Sequence, residues 1–280
     1  MRYLKRLLSK VLPSEELVNI FGSYDVVGDI AIIRLAENSR KHCKLIAETI
    51  MKVHKNVKVV LAQTSPVHGD FRLRKLEHLA GENRTKTVHR EFGCFFSVDL
   101  KNCYFSPRLS FERMRIASLV RNGETVVNMF AGVGCFSIVI AKHSKAKKIY
   151  SIDINPAAVQ FMRENIKLNS VLGKVVPIEG DAKSIIMERL RGVADRVLMP
   201  LPEKAFEYLP YALLALKNGS GWIHYYDFEH AKKNENPIEK VKAKVTAELE
   251  RLKVEFEIPF SRIVRSTGPN WYQIVLDIAC

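Results

Sequence analysis

The spacing of apolar and polar residues changes character at about residue 100. Ahead of that point, "DIAIIRL" (Asp29–Leu35) and "VKVVLAQ" (57–63) are apolar runs of strand length. Between them, "NSRKHCKLIAETIMKVH" places its apolar residues at helical spacing behind a polar cap. Strand-like pieces follow in "DFRLRKLEHL", "TKTVHRE" and "CFFSVDL". The first hundred residues therefore read as a mixed α/β unit.

Beyond residue 100, "SFERMRIASLV" predicts an amphipathic helix. "TVVNMF" is a fully apolar strand, and "AGVGCFSIVIAKHS" is a turn feeding a helix. "KKIYSIDIN" and "KVVPIEGDA" are strands flanking the helix "PAAVQFMRENIKLN". "ADRVLMPLP", "GSGWIHYYDF", "EIPFSRIVRS" and "NWYQIVLDIAC" complete the strands. Strands alternating with helices predict a parallel, doubly wound sheet. The last two strands, joined by "TGPN", predict an antiparallel hairpin at its edge. "AKKNENPIEKVKAKVTAELERLKVEFE" reads as a charged amphipathic helix serving as scaffold. The fold class is α/β, with a Rossmann-like domain over residues 101–280 preceded by a smaller basic α/β domain over residues 1–100.

Charge adds a partner to this picture. Lys and Arg number 44 against 30 Asp and Glu, a net charge of +14. Lys41, Lys44, Lys52, Lys55, Arg72, Arg74, Lys75, Arg84, Lys86 and Arg90 spread the excess through the first half. Such an excess favours a polyanion, because each neutralised phosphate releases counterions. A solvated lysine-rich surface and an anionic lipid surface are the alternatives. No apolar run approaches the roughly 18 residues of a membrane span. The opening "MRYLKRLLSKVLPSEE" is basic and amphipathic but lacks the apolar centre of a signal peptide. Cysteines 43, 94, 103, 135 and 280 stand apart with no CxxC pair, and the histidines show no ligand spacing. A cytoplasmic protein with no metal and no disulfide framework is expected.

In doubly wound sheets, ligands bind beyond the carboxyl ends of the strands at the topological switch point. "NMFAGVGCFSI" sits at the end of the first such strand, where Gly132 and Gly134 permit a tight turn at a helix N-terminus. Asp153, at the end of the next strand, stands where an acid accepts from both hydroxyls of an adenosine ribose. Asp181, after the third strand, can accept from an adenine amino group, and Phe130 and Ala182 complete the set. "AGVG" lacks the third glycine of the dinucleotide pattern, and the edge hairpin is a feature of S-adenosylmethionine-dependent transferases. The expected cofactor is S-adenosyl-L-methionine.

"NCYFSPRLSFERMRI", "FAGVGCFSI", "IDINPAAVQFMRENIKLN", "GDA", "DRVLMPLP" and "IHYYDF" together resemble a family of archaeal and eukaryotic tRNA enzymes. These modify the purine on the 3′ side of the anticodon. One branch comprises the tRNA guanine-N1 methyltransferases. The other comprises the wybutosine-pathway aminocarboxypropyltransferases, which act on 4-demethylwyosine at position 37 of tRNA-Phe. The resemblance runs from about Asp70 onward, the first seventy residues matching loosely. The separate domain that many of the methyltransferases carry ahead of this region is expected to be missing.

The resemblance implies roles for single residues. "YFSPRLSFER" would close over cofactor and base, with Ser106 and Arg113 on the cofactor and Tyr104 and Arg108 facing the nucleotide. Glu112 matches the proton acceptor of the methyltransferase branch. Arg72 matches an arginine that reaches toward the flipped base, with Arg74 beside it. The partner implied is the anticodon stem-loop of a tRNA, bound by a monomer.

Two positions depart from the methyltransferase pattern. Those enzymes resemble "NLP" at the end of the fourth strand, the asparagine gripping the edge of guanine; here Pro200 begins "PLP". Asn128 stands where they usually carry aspartate. Without the amide, the polar edge of guanine would be left unpaired, which costs several kcal/mol of transition-state binding. A proline wall suits a larger, less polar base held by shape and stacking. The expected reaction is therefore transfer of the 3-amino-3-carboxypropyl group to C7 of 4-demethylwyosine, with guanine-N1 methylation at position 37 as the alternative.

Overall fold

Valine- and isoleucine-rich runs build the strands of the first unit, which ends at Arg108, and the second unit begins at Leu109. The computed structural model describes residues 3–10, 12–18 and 20–280. Two short helices, α1 (Tyr3–Leu8) and α2 (Ser14–Val18), precede strands β1 (Asp25–Val27) and β2 (Ile30–Arg34). Helix α3 (Cys43–Val53) carries the chain to β3 (Val59–Gln63), which lies parallel to β2, and β4 (Leu76–Gly81) closes the sheet in the order β1-β2-β3-β4. Its core joins Leu4 and Leu8 to Ile46 and Ile50 of α3 and Val60 of β3. A two-stranded ribbon, β5 (Lys86–Glu91) with β6 (Cys94–Asp99), follows.

Of the predicted strand "DFRLRKLEHL", only the part from Leu76 joins a sheet strand, Leu73 forming a single antiparallel bridge with His68. Residues 69–72 form a tight turn, in which Arg72 N donates to Gly69 O at 3.0 Å and Arg72 takes φ of +54°. Arg72 is thus presented on a turn. The unit boundary lies later than the change of pattern at residue 100. Phe105 packs on His89 (5.1 Å between ring centres) and on Phe96 (6.5 Å), which ties the "YFSP" segment to the β5–β6 ribbon.

The second unit is a seven-stranded sheet in the order β12-β13-β11-β10-β7-β8-β9. After helix α4 (Ser110–Leu119), strands β7 (Thr125–Asn128), β8 (Lys148–Asp153) and β9 (Val175–Glu179) alternate with helices α5 (Cys135–His143) and α6 (Pro156–Leu168). Helix α7 (Ala182–Ile185), β10 (Arg196–Met199), α8 (Pro202–Ala215), β11 (Trp222–His230) and α9 (Pro237–Arg251) lead to the hairpin β12 (Glu257–Gly268) and β13 (Trp271–Ala279). β10 pairs parallel to both β7 and β11, whereas β13 runs antiparallel to β11. The chain order reverses between β7 and β10, which opens the switch-point crevice above their carboxyl ends. Val127, Met129, Val197, Met199, Ile223, Tyr225 and Leu276 are buried in one core, with Val241, Val245 and Leu249 of α9 packed on it. Burying each such side chain is worth about 2 kcal/mol, which fixes the sheet and so the positions of its strand ends.

Candidate active site

The turn after β7 is set by its own backbone. Ala131 N donates to Ile152 O at 2.8 Å, Gly132 adopts φ of +57° and Gly134 caps α5 at φ of +92°. A Cβ on Gly132 would meet nothing within 4 Å, whereas one on Gly134 would press Met162 at 3.0 Å and Ile138 at 3.2 Å. Gly134 is therefore required by packing, and Gly132 borders open space at the crevice.

Asp153 ends β8 beside that turn. Its Oδ2 accepts from Gly132 N at 2.6 Å and its Oδ1 from Asn155 N at 2.9 Å. Burial raises its pKa, the two backbone donors offsetting only part of that effect. A carboxylate in this setting retains lone pairs for hydroxyl donors, as a ribose diol requires. Asp181 accepts from Ser184 N at 3.1 Å, capping α7, and from the Tyr208 hydroxyl. Tyr208 also meets Phe130 edge to face, 5.3 Å between ring centres. Ala182 is buried behind Asp181. Two carboxylates at successive strand ends, an aromatic wall and a glycine turn beside open space have the chemistry to hold S-adenosylmethionine.

Asn128 closes β7, fully buried. Its Nδ2 donates to Ser137 Oγ at 3.1 Å, and Ser151 Oγ donates to the same oxygen at 2.7 Å. The amide donates into a neutral hydroxyl network and accepts from Phe130 N, so it is satisfied on both sides. At the end of β10, Met199 is buried and Pro200 half-buried, with Pro202 at the first turn of α8. Of the three residues 200–202, only Leu201 retains a backbone N–H.

Glu112, in the first turn of α4, is 1% exposed. Its Oε1 accepts from the Tyr226 hydroxyl at 2.7 Å and from Arg115 Nη2 at 2.7 Å. Its Oε2 accepts from Arg115 Nε at 3.0 Å and from Arg262. Burial raises the Glu112 pKa, but Arg115, Tyr226 and Arg262 outweigh it and leave the carboxyl below its ordinary range. Arg115 donates onward to Asp277, through Nη1 at 2.6 Å and Nη2 at 3.1 Å. Asp277 Oδ1 lies 2.6 Å from His224 Nδ1, and His224 Nε2 lies 2.7 Å from Arg196 Nη1. Since arginine only donates, His224 Nε2 accepts and Nδ1 carries the proton to Asp277. Arg196 then pairs with Glu124 at 2.8 Å. Arg113, the neighbour of Glu112, is also buried.

The first unit carries the remaining candidates. The Arg72 guanidinium lies 4.3 Å from the centre of the Tyr104 ring, a cation–π contact. Arg108 Nε donates to Asp25 at 2.6 Å, and Ser106 is buried. Burial lowers the pKa of Arg74, with Tyr104 and Asp25 opposing that effect and Arg34 and Arg108 adding to it. Four arginines and a tyrosine thus share one surface. A separate cleft of about 760 Å³ is lined by Asp29, Arg84, Lys86, His89 and Arg90, with Arg84 engaged by Asp29.

The structure groups Phe130, Gly132, Gly134, Asp153, Asp181 and Ala182 at the switch point, and Arg72, Arg74, Tyr104 and Arg108 on the first unit. Sequence reasoning missed Tyr208, Tyr226, Arg262, Asp277 and His224. Arg115 was legible as the i+3 partner of Glu112, though not as a buried one. Among the described residues, no group of three or more His, Cys, Asp or Glu side chains is placed to hold a metal ion. Among the described residues, no helix is long and apolar enough to cross a membrane.

Residues 87–255 match the TRM5/TYW2 methyltransferase domain, and residues 4–85 match the TYW2 N-terminal domain. The chain belongs to the TRM5/TYW2 family. Its first seventy residues, which the motifs reach only loosely, are thus included in the likeness. TRM5/TYW2 relatives include the tRNA (guanine(37)-N(1))-methyltransferase Trm5b of Pyrococcus abyssi, 42% identical over 91% of this chain and 74% of that one. The tRNA 4-demethylwyosine(37)-methyltransferase Taw21 of Saccharolobus solfataricus is 36% identical over 98% of this chain and 99% of that one. The tRNA(Phe) (4-demethylwyosine(37)-C(7)) aminocarboxypropyltransferase of Methanocaldococcus jannaschii is 33% identical over 91% and 96%. Among solved structures, Pyrococcus horikoshii TYW2 in complex with MeSAdo aligns at a TM-score of 0.76 and 29% identity, covering 99% of this chain and 97% of that one.

Proposed function

We propose that this protein transfers the 3-amino-3-carboxypropyl group of S-adenosylmethionine to C7 of 4-demethylwyosine at position 37 of tRNA-Phe. The observation that carries this reading is Pro200 at the end of β10, where the strand end has no side-chain amide to grip a guanine. Similarity to the aminocarboxypropyltransferase of Methanocaldococcus jannaschii supports it.

S-adenosylmethionine, held at the Gly132 turn, Asp153 and Asp181, would supply a sulfonium whose γ-carbon is the electrophile for C7, the γ-carbon–sulfur electron pair leaving with methylthioadenosine. Asp153 orients the ribose and Asp181 the adenine, so that the sulfonium is held in line with the ring carbon. Glu112 then accepts the C7 proton. Attack uses the C7 π pair, so C7 becomes tetrahedral and the ring cationic; its proton is then strongly acidic, and a carboxylate held at low pKa suffices. Pro200 walls the base. Arg72, Arg74, Tyr104 and Arg108 engage the anticodon stem-loop, whose target base flips out of its stack. The protein acts in the cytoplasm as a monomer.

A second reading is methyl transfer at position 37, onto guanine N1 or onto the wyosine precursor. The full-length likeness to Taw21 and the 42% identity to Trm5b favour it. One experiment separates the two. The protein is incubated with tRNA bearing either guanosine or 4-demethylwyosine at position 37, and with S-adenosylmethionine labelled in the carboxyl carbon or in the methyl group. Carboxyl label retained on the precursor tRNA is the expected result. Methyl label on either tRNA, with no carboxyl label, would replace the first reading with the second.

A further inference from the structure

Glu112 is sealed. No substrate atom reaches its carboxylate unless one of its three partners withdraws. Tyr226 is 1% exposed in the core, and burial together with Glu112 raises its pKa far above the ordinary value, so it remains a fixed donor. Arg115 is held from two sides, by Glu112 and by the two oxygens of Asp277, with its side chain 14% exposed. Its guanidinium also lies 4.8 Å from the Phe260 ring centre. Arg262 differs on every count. It sits on β12, the edge strand, and its side chain is 30% exposed. One polar bond, from Nη2 to Glu112, holds it, and its Nε has no hydrogen-bond partner. Its other contact is with the ring of Phe111, 5.0 Å away, and Phe111 is itself 65% exposed.

We propose that Arg262 is a positioning residue that caps Glu112 Oε2 and is drawn off it by a phosphate of the incoming RNA. The guanidinium fork suits phosphate as well as carboxylate, and an edge-strand side chain can exchange one for the other without disturbing the core. Withdrawal would leave Oε1 held by Tyr226 and Arg115, and Oε2 by Arg115 Nε alone, with a lone pair freed for the base. The carboxylate stays oriented by Arg115, Tyr226 and, through Arg115, by Asp277 and His224. In the free protein the cap keeps a buried carboxylate charge-compensated. This inference rests on Glu112 as the proton acceptor of the proposed reaction.

The test is the pH profile of kcat/KM for tRNA, which reports groups of the free protein, measured on the whole protein for wild type, Arg262→Gln, Arg262→Lys and Glu112→Gln and read with whichever label is transferred. Loss of the Arg262 cation lets the Glu112 pKa rise, so the acid limb of Arg262→Gln should move to higher pH by about one unit. The tRNA KM should rise several-fold as well, and Arg262→Lys should return the limb most of the way. An acid limb unmoved in Arg262→Gln, while Glu112→Gln is strongly slowed, would overturn the cap and leave Glu112 in its role. Turnover unchanged in Glu112→Gln would remove that role instead, and the cap with it. A crystal structure with an anticodon stem-loop bound gives a reading independent of turnover. Arg262 on a phosphate is expected, and Arg262 still on Glu112 would refute the exchange.

Discussion

Arg115 Nη1 lies 2.6 Å from Asp277 Oδ2, an ion pair that joins α4 to β13 across 162 residues of chain. Both side chains are largely removed from water; without Asp277, Arg115 keeps only the shared Glu112 and His224 Nδ1 loses its acceptor. Breaking such a buried pair costs about 3 to 5 kcal/mol. Asp277→Ala should lower the stability of the second unit by that amount, read as a shift of the urea midpoint. A loss below 1 kcal/mol would mean that the pair is hydrated in solution.

The same network sets a pH dependence. Burial lowers the His224 pKa, its bond to Asp277 offsetting only part. The unfolded chain takes up a proton near pH 6.5 that the folded protein refuses, so stability falls as pH drops through that value, by at most about 1.4 kcal/mol per pH unit. Asp277 has the opposite cause and the same direction. Burial alone would raise it, but His224 and Arg115 hold it at about 2, so its contribution persists above pH 4 and is lost between about 4 and 2. Urea midpoints at pH 7.5 and 5.5 should therefore fall more steeply for wild type than for His224→Gln. Equal slopes would show that His224 does not titrate against folding.

The two glycines of the β7–α5 turn should separate folding from cofactor binding. Gly134→Ala adds a strained φ and a close contact with Met162 and Ile138, and should destabilise by about 3 kcal/mol. Gly132→Ala carries only the φ strain, about 1 kcal/mol, yet should weaken S-adenosylmethionine at least tenfold in calorimetry because its Cβ enters the crevice. Asp153→Ala should cost about 2 kcal/mol of the same affinity, the worth of hydrogen bonds to a charged acceptor. Unchanged binding in Gly132→Ala and Asp153→Ala would move the cofactor elsewhere.

The arginine surface of the first unit predicts a strong salt response. Affinity for tRNA should fall steeply with salt, and Arg72→Gln and Arg74→Gln should each reduce the log–log slope by about 1. A flat response in wild type would leave the +14 charge without a role in RNA binding.

What the sequence determined by itself is local. Short apolar runs rich in β-branched residues and bounded by glycine and polar turns favour buried strands, and their alternation with helical spacing leads to the doubly wound sheet. The turn at Gly132 and Gly134, and the acids Asp153 and Asp181 at successive strand ends, follow from the same short-range logic. Tertiary structure decided what depends on distant residues meeting. "SFERMRIASLV" has the spacing of an ordinary amphipathic helix, and nothing in it distinguishes an exposed Glu–Arg pair from a carboxylate sealed among side chains of β11 and β12. Asn128 reads in sequence as a simple departure from aspartate; only the fold shows its amide bonded to Ser137, which Ser151 also joins. Arg72, placed in a strand by the alternation of "DFRLRK", sits on a turn because the bond from Arg72 N to Gly69 O outweighs that pattern. Periodicity reports which face of an element is apolar; the partners of a buried charge come from elements far along the chain, and only packing brings them together.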